Sequence, residues 1–365
     1  MESDTDFDPG IDTGIDTDAR ATTDTDTVWS ALAGLDLLDR RLVHALQIDG
    51  RAPFSRLAEV LGVSDQTVAR RYGRLRREKT VRVLGLADPL RIGLTPWMVR
   101  VRCTPDAAGS IGAALARRTD TRWVNLISGG TEISCLTQAA APGHDDTLLL
   151  QKLPRTPRVV QVTAHAMLHM FFGKDLSPVS RSSALTPDEI AALTPPDAPG
   201  NPTRGPAGVP TGPPADPVPL GPGDHLMCDA LAQDGRTSAA ELAAVTGWSQ
   251  STVRRRLSEL RSAGVLYYDL DFGNGLFKSE LRAALWLEVE PARLAEVGAA
   301  LADHSEVAFA AATTGATNIY ASVSCKDPEA LYRYLTGPVA ALPGLRRTET
   351  APIHRLLKGP GPYAA

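Results

Sequence analysis

Two stretches of this 365-residue chain hold the side chains whose types and spacing point to chemistry. Ser64 to Lys79 reads SDQTVARRYGRLRREK, and Ser249 to Gly264 reads SQSTVRRRLSELRSAG. The first carries Arg70, Arg71, Arg74, Arg76, Arg77 and Lys79; the second carries Arg254, Arg255, Arg256 and Arg261. Guanidinium groups at this density neutralise phosphates, and Arg and Gln pair bidentately with guanine and adenine edges. The chemistry is recognition of a polyanion. Bond-breaking machinery is not evident: no Ser/His/Asp order, phosphate-binding loop or pair of catalytic carboxylates emerges.

The elements that hold these side chains follow from the same residues. Each stretch opens on a Ser suited to cap a helix and then runs for about four turns without Pro. Val68, Tyr72 and Leu75, and in the second copy Val253, Leu257 and Leu260, form the apolar stripe of each helix. Each is preceded by LA and a Gly that can turn the chain (FSRLAEVLGV, AAELAAVTGW), and before that by a segment ending in Asp-Gly-Arg (DRRLVHALQIDGR, DHLMCDALAQDGR). The first unit is therefore expected to form helices near 36–48, 54–60 and 65–78, with a short strand around VRVLGL. A helix, a tight turn and a basic helix make a helix-turn-helix, whose second helix enters the major groove of double-stranded DNA.

The motifs LDxLDRR, DGR, LAxxLGVS and TVxRR resemble the DNA-binding domain of Lrp/AsnC transcription regulators, and the chain carries the arrangement twice. Asp49 and Asp234, Ser64 and Ser249, and Leu75 and Leu260 are each 185 positions apart, so this repeat is gapless. The expected DNA-contacting residues are Ser64, Asp65, Gln66, Thr67, Arg70, Arg71 and Arg74, and in the second copy Ser249, Gln250, Ser251, Thr252, Arg254, Arg255 and Arg256. Base reading should fall to Asp65, Gln66 and Arg70 and to Gln250, Ser251 and Arg255, at the start and exposed side of each helix. The two helices differ at most exposed positions, which predicts unlike half-sites. The first copy also has Gly73 in mid-helix and Lys79-Thr80 where the second ends in Gly264, which marks it as the weaker reader.

After the first basic helix, residues 95–173 read strand, helix, strand, turn, strand, helix, strand, with the second helix over His144 to Lys152. Residues from ALWLEVE to LRRTETAPIHRLL repeat this order in the second half. The fold class expected is α+β: two copies of a winged helix-turn-helix domain, each followed by a ferredoxin-like βαββαβ domain. The expected domains are an acidic disordered tail (1–30), a DNA-binding domain (31–88), a ferredoxin-like sensing and dimerisation domain (89–176), a Pro-rich linker (177–219), a second DNA-binding domain (220–273) and a second sensing domain (274–358). The linker holds twelve prolines, a segment TPDEIAAL suited to two helical turns, and a flexible reach of about 36 Å. The sensing domains can then pair within one chain as a pseudo-dimer or between chains as a homo-oligomer.

The resemblance further implies a small effector, commonly an amino acid, in a GxxD-like loop at a dimer interface. The matching residues are Gly129, Gly130 and Glu132 in GGTE, and Gly315 and Asn318 in GATN. Glu132 would hold an α-amino group and backbone N–H groups a carboxylate. A more distant resemblance is to siroheme decarboxylases, which use the same two-domain plan on a tetrapyrrole; His165 and His354 are the symmetric histidines such an enzyme could use.

Composition fits this reading. Net charge is −4, but residues 1–28 hold nine acids and one Arg, which leaves the remainder positive by four. The Asp-Thr tail lacks the ligand order of a calcium loop. Cys103, Cys135, Cys228 and Cys325 show no CxxC spacing and read as buried thiols, and His165 and His169 lie on a strand rather than at metal-ligand spacing. The sequence calls for no cofactor or metal. With no apolar run of the roughly 20 residues that span a bilayer and no signal peptide, the expected location is the cytoplasm, away from membranes.

Overall fold

The computed structural model describes residues 35–139, 152–173, 184–195, 216–273 and 281–362. The acidic tail, nearly all of the helix expected over His144 to Lys152 and most of the linker lie outside the described residues.

In the first half, Asp36 caps α1 (Leu37–Ile48) by accepting the Asp39 N–H at 2.8 Å. Helix α2 (Phe54–Leu61) stops at Gly62 in the left-handed conformation, and Ser64 caps α3 (Asp65–Arg77). Strand β1 (Val81–Ala87) leads out of this unit. There follow β2 (Thr95–Cys103), α4 (Ala108–Arg117), β3 (Thr121–Ile127), β4 (Glu132–Ala139) and β5 (Val159–Phe172). Within the linker, Thr186 and Glu189 form a reciprocal capping box for α5 (Pro187–Leu193). This helix buttresses the first unit: Leu193 is fully buried, Glu189 pairs with Arg41 at 2.6 Å, and the Ala192 carbonyl accepts from Arg56.

The second half repeats the order with α6 (Pro222–Gln233), α7 (Ala239–Thr246), α8 (Gln250–Ser262), β6 (Leu266–Phe272), β7 (Leu281–Val289), α9 (Leu294–Asp303), β8 (Val307–Thr313), β9 (Ile319–Cys325), α10 (Pro328–Tyr334) and β10 (Leu345–Lys358). Observed boundaries fall within a few residues of those expected, and the last strand of each half runs on into the other.

The strand that leaves each helix-turn-helix is shared between halves. β1 pairs antiparallel with β6 from Val81 opposite Phe272 to Ala87 opposite Leu266, and a single core contains apolar residues of both units, among them Leu46, Val83, Leu231 and Leu270. The ferredoxin-like domains also join within the chain. β2 to β5 and β7 to β10 each adopt the ferredoxin-like order, and the two four-stranded sheets close into one eight-stranded barrel, β10-β3-β4-β2-β5-β8-β9-β7. Closure depends on the two 14-residue strands: β5 pairs first with β2 and then, from Met167 to Phe172, with β8, while β10 pairs with β7 and then, from Ile353 to Lys358, with β3. Among the described strands the barrel ladder closes on itself and leaves no open edge to template association. One apolar core underlies the helices of each half, and a smaller one, containing Met98, Ile127, Ala284, Trp286, Tyr320 and Ala351, fills the barrel interior.

Candidate nucleic-acid interface and effector loops

Helices α3 and α8 are built alike. Ser64 accepts the Thr67 N–H at 3.2 Å and contacts the Thr67 hydroxyl at 2.9 Å; Ser249 does the same with Thr252 at 3.1 and 2.9 Å. These four predicted contact residues cap their helices. Val68, Tyr72 and Leu75 are buried under α3, and Val253 and Leu260 under α8. Asp65, Gln66 and Arg70 are exposed at the start of α3, as are Gln250, Ser251, Arg254 and Arg255 on α8.

The arginines divide into two groups. Arg71 donates to Asp36 at 2.5 Å and Asp39 at 2.9 Å, and Arg74 also pairs with Asp39. In the second half Arg256 grips Asp224 through two bonds, at 2.7 and 2.9 Å, and reaches Glu259 at 3.2 Å. These three side chains turn back onto α1 and α6 and fasten the basic helices to the body of the domain. Asp39 and Asp224 are almost fully buried. The Arg71 bond holds the Asp36 carboxyl below the usual carboxylate range, and the Arg256 bond does the same for Asp224 against the opposing effect of burial. Arg70, Arg77, Arg254 and Arg255 project outward, with Arg254 resting on Gln250 at 3.2 Å and Arg255 on Glu259 at 2.5 Å.

The Asp-Gly-Arg segments interlock across the two units. Arg51 donates to the Gly235 carbonyl at 2.7 Å, and Arg236 to the Gly50 and Ala52 carbonyls at 2.6 and 2.9 Å. Asp234 pairs with Arg76 at 2.9 Å and Asp49 with Arg261 at 3.4 Å. The Arg236 guanidinium stacks 4.4 Å from the Phe54 ring centre and 5.6 Å from that of Tyr72, a residue of α3. Gly235 is needed because its N–H bonds the Val83 carbonyl at 2.8 Å, and a Cβ there would come within 2.7 Å of the Leu84 backbone. This clasp fixes α3 relative to α8. The Asp-Gly-Arg repeat is visible in sequence, but the carbonyls its arginines bond lie 184 residues or more away, beyond what local spacing reveals.

The candidate effector loops sit where one half meets the other, and they differ. In the first, Gly129 and Gly130 adopt φ of 67° and 85° with open space beside them. Glu132 is buried and already paired with Arg100 at 2.8 Å and Arg102 at 3.1 Å. In the second, Gly315 has φ of 111°, and the space a Cβ would take is filled by His165 of the other half, whose Nδ1 lies 2.6 Å from the Thr314 carbonyl. Asn318 bonds both the N–H and the carbonyl of Val289, at 2.9 and 2.8 Å. His165 and His354 are not equivalent in the strand registers: His165 stands opposite Met98, and the matching position of the second half, opposite Ala284, is Ala351, whereas His354 lies further along β10 in the irregular register between Ile353 and Arg355, beside the Ser128–Gly130 turn. His169 packs edge-on against Phe171 at 4.8 Å. Among the described residues no group of three or more His, Cys, Asp or Glu is placed to hold a metal ion. The four cysteines are free, three of them buried.

Comparison with known proteins places these features. The AsnC-type helix-turn-helix domain matches residues 35–76 and 224–261, and the Lrp/AsnC ligand binding domain matches residues 282–361. An HTH-type transcriptional regulator of Pyrococcus furiosus is 32% identical over 130 residues, which cover 35% of this chain and 87% of the relative. The chain belongs to the Lrp/AsnC family. A second relative, the HTH-type transcriptional regulator AldR of Mycolicibacterium smegmatis, is 34% identical over 106 residues, covering 27% of this chain and 60% of that one. The two helix-turn-helix matches agree with an internal duplication of the Lrp/AsnC unit. Over the whole chain the fold is similar to the crystal structure of the siroheme decarboxylase NirDL, with a TM-score of 0.59, 14% identity and coverage of 90% of this chain and 95% of that one. At that identity the likeness is one of fold. No described helix is long and apolar enough to cross a membrane.

Proposed function

We propose that this protein is a sequence-specific, DNA-binding transcriptional regulator of the cytoplasm, in which a single polypeptide supplies both halves of the two-fold unit that Lrp/AsnC proteins use. One observation carries the reading: two capped basic helices, each with outward-facing arginines that no fold contact consumes entirely, are held in a fixed mutual relation by the β1–β6 ladder and the Asp-Gly-Arg clasp. Phosphate contacts by Arg70, Arg77, Arg254 and Arg255 position the helices, and Gln66, Arg70, Gln250 and Ser251 read base edges. Because α3 and α8 expose different residues, the two half-sites differ. Selection of bound sequences from a random double-stranded pool should return asymmetric sites; recovery of perfect palindromes, or of no enriched sequence, would refute this.

An amino-acid effector, where one acts, belongs to the first loop. The Gly129–Gly130 turn has room beside it, whereas the second loop is filled by His165 and tied by Asn318. Its amine has to displace Arg100 or Arg102 from Glu132. A thermal-shift screen of the amino acids should find responders that Glu132→Gln abolishes and Asn318→Ala leaves intact; absence of any responder would remove the effector from this account.

The fold likeness to a siroheme decarboxylase favours a second reading, a tetrapyrrole enzyme. Against it stand the arginines of α3 and α8, for which such chemistry has no use, and the packing of His165 against Gly315. A coloured tetrapyrrole copurifying with the protein would reverse the preference.

A further inference from the structure

The barrel interior contains a feature that neither DNA binding nor effector binding requires. On the inward face of the first sheet, Arg100 stands opposite Ser134 on β4 and Thr163 on β5. On the second sheet, Trp286 stands opposite Tyr320 on β9 and Glu349 on β10. The registers superimpose position for position at an offset of 186, so Arg100 and Trp286 are equivalent residues of the two halves, as are Ser134 and Tyr320, and Thr163 and Glu349. Equivalent residues touch each other only where the axis relating the two halves passes between them. Arg100 and Trp286 do so: the guanidinium carbon lies 3.9 Å from the indole ring centre. Arg100 also spans the halves in charge, bonding Glu132 of its own sheet at 2.8 Å and Glu349 of the other at 2.7 Å. Trp286 is 2% exposed, and the Arg100 side chain 15%.

We propose that Arg100 and Trp286 form a heterotypic lock, which makes the interior surface of the first sensing domain fit the second sensing domain of this kind of chain and reject another copy of itself. In a barrel made of two first domains, Arg100 would face Arg100 across the axis. Thr163 would replace Glu349, so the two facing Arg100 side chains would repel each other with only the Glu132 carboxylates, each already shared with Arg102, to hold them. In a barrel made of two second domains, Trp286 would face Trp286, and both Glu349 carboxylates would lack their guanidinium partner. The mixed pairing balances Arg100 and Arg102 against Glu132 and Glu349 and adds the cation–π contact. An interior that discriminates by charge repulsion as well as attraction selects its partner. The linker then makes the mixed pairing intramolecular, at an effective concentration in the millimolar range.

Full-length variants test this. Trp286→Arg sets Arg against Arg within one chain, and Arg100→Trp sets Trp against Trp. Each alone is expected to lower the melting temperature and shift the protein from a single monomeric barrel to open or multimeric species. The exchange variant Arg100→Trp/Trp286→Arg moves the guanidinium to position 286, opposite Glu349, and is expected to recover at least half of the drop in melting temperature. Co-expression of the two single variants is expected to give a one-to-one heterodimer by native mass spectrometry, because the first domain of the Trp286→Arg chain and the second domain of the Arg100→Trp chain keep the original pair while their counterparts form the exchanged one. The proposal is overturned if Trp286→Arg alone stays monomeric at the wild-type melting temperature, or if the exchange variant melts no higher than the worse single variant, or if the co-expressed chains do not pair.

Discussion

The division of the arginines into fasteners and readers can be tested within a single turn of α8. Arg254 and Arg256 are two residues apart, and composition alone makes them equal candidates for a phosphate. Arg256 is bonded side-on to Asp224, whose side chain is only 6% exposed, whereas Arg254 rests at 3.2 Å on a surface Gln250. Removing Arg256 strands a buried carboxylate. Breaking a buried ion pair by deleting one partner costs about 3–5 kcal/mol, and because the guanidinium itself is 24% exposed, solvent relieves part of that, leaving about 2–3 kcal/mol. Arg254→Ala, at a surface site, should change stability by no more than about 0.5 kcal/mol. DNA binding should show the opposite ranking. Each phosphate left without its cation reduces the slope of log affinity against log salt by about 0.9, so Arg254→Ala should reduce the slope by about that amount and Arg256→Ala should leave it unchanged where the protein is folded. Urea unfolding followed at pH 7 and fluorescence anisotropy over a salt series read the two quantities separately. The Asp224 carboxyl is held low by Arg256, so its contribution is present above the ordinary Asp range and disappears as pH falls through the lowered value; the variant should lack that acid-side decline. Equal stabilities for the two variants, or a reduced salt slope in Arg256→Ala, would refute the assignment.

Two further outcomes follow from local geometry. Lys79 ends α3 in the left-handed conformation at φ 54°, where Gly264 ends α8 at φ 67°, and the next N–H closes the same bond in both, Thr80 to Leu75 at 2.8 Å and Val265 to Leu260 at 2.9 Å. Lys79→Gly should therefore stabilise and Gly264→Lys destabilise by about 1–2 kcal/mol each, read as opposite shifts of the unfolding midpoint; shifts of the same sign would refute the argument. His44 is 1% exposed on α1, and burial pushes its pKa below the usual 6.5. Since the unfolded chain takes up the proton first, stability from this group is full above pH 6.5 and declines as pH falls below it. Melting temperatures of wild type and His44→Gln should converge between about pH 7 and pH 5, and parallel curves would exclude the effect.

Much of this molecule is legible in its sequence because its repeated parts obey short-range rules. Ser64 and Ser249 cap helices through bonds three residues long, Gly62 and Gly247 turn the chain with left-handed dihedrals, and the alternation in ALWLEVE or NIYASVSC sorts residues between the helix side and the barrel side. Charge is less legible. The sequence groups Arg70, Arg71 and Arg74 as one basic face, yet Arg71 and Arg74 are committed to Asp36 and Asp39 some 32 to 35 positions earlier. The GxxD-like resemblance marks Glu132 and Asn318 as equivalent positions, but only the packed barrel shows one carboxylate shared by two arginines and one amide closed onto the Val289 backbone. Cross-half pairing of β1 with β6 and of β5 with β8 depends on registers between segments far apart in the chain, which no local pattern encodes.

The duplicated halves have diverged at positions that couple to one another. Glu132 belongs both to the open Gly129–Gly130 turn region and, through Arg100, to the contact at the axis of the barrel. A cationic group that takes Glu132 for itself leaves Arg100 held by Glu349 and Trp286 alone, both of them in the other half. Pairing of Arg100 thereby passes from within its own sheet to across the barrel. The second loop offers no such transfer, since Asn318 carries no charge and its amide is spent on Val289. A ligand taking Glu132 in the first loop would therefore be coupled to the contact between the halves through a single side chain, and by linkage that coupling is reciprocal: whatever tightens the Arg100–Glu349–Trp286 contact also eases release of Glu132. In a symmetric dimer both loops would carry the same residues; with two unlike copies in one chain, one loop is filled by His165 while the other keeps a carboxylate whose arginine partner also bonds the opposite half.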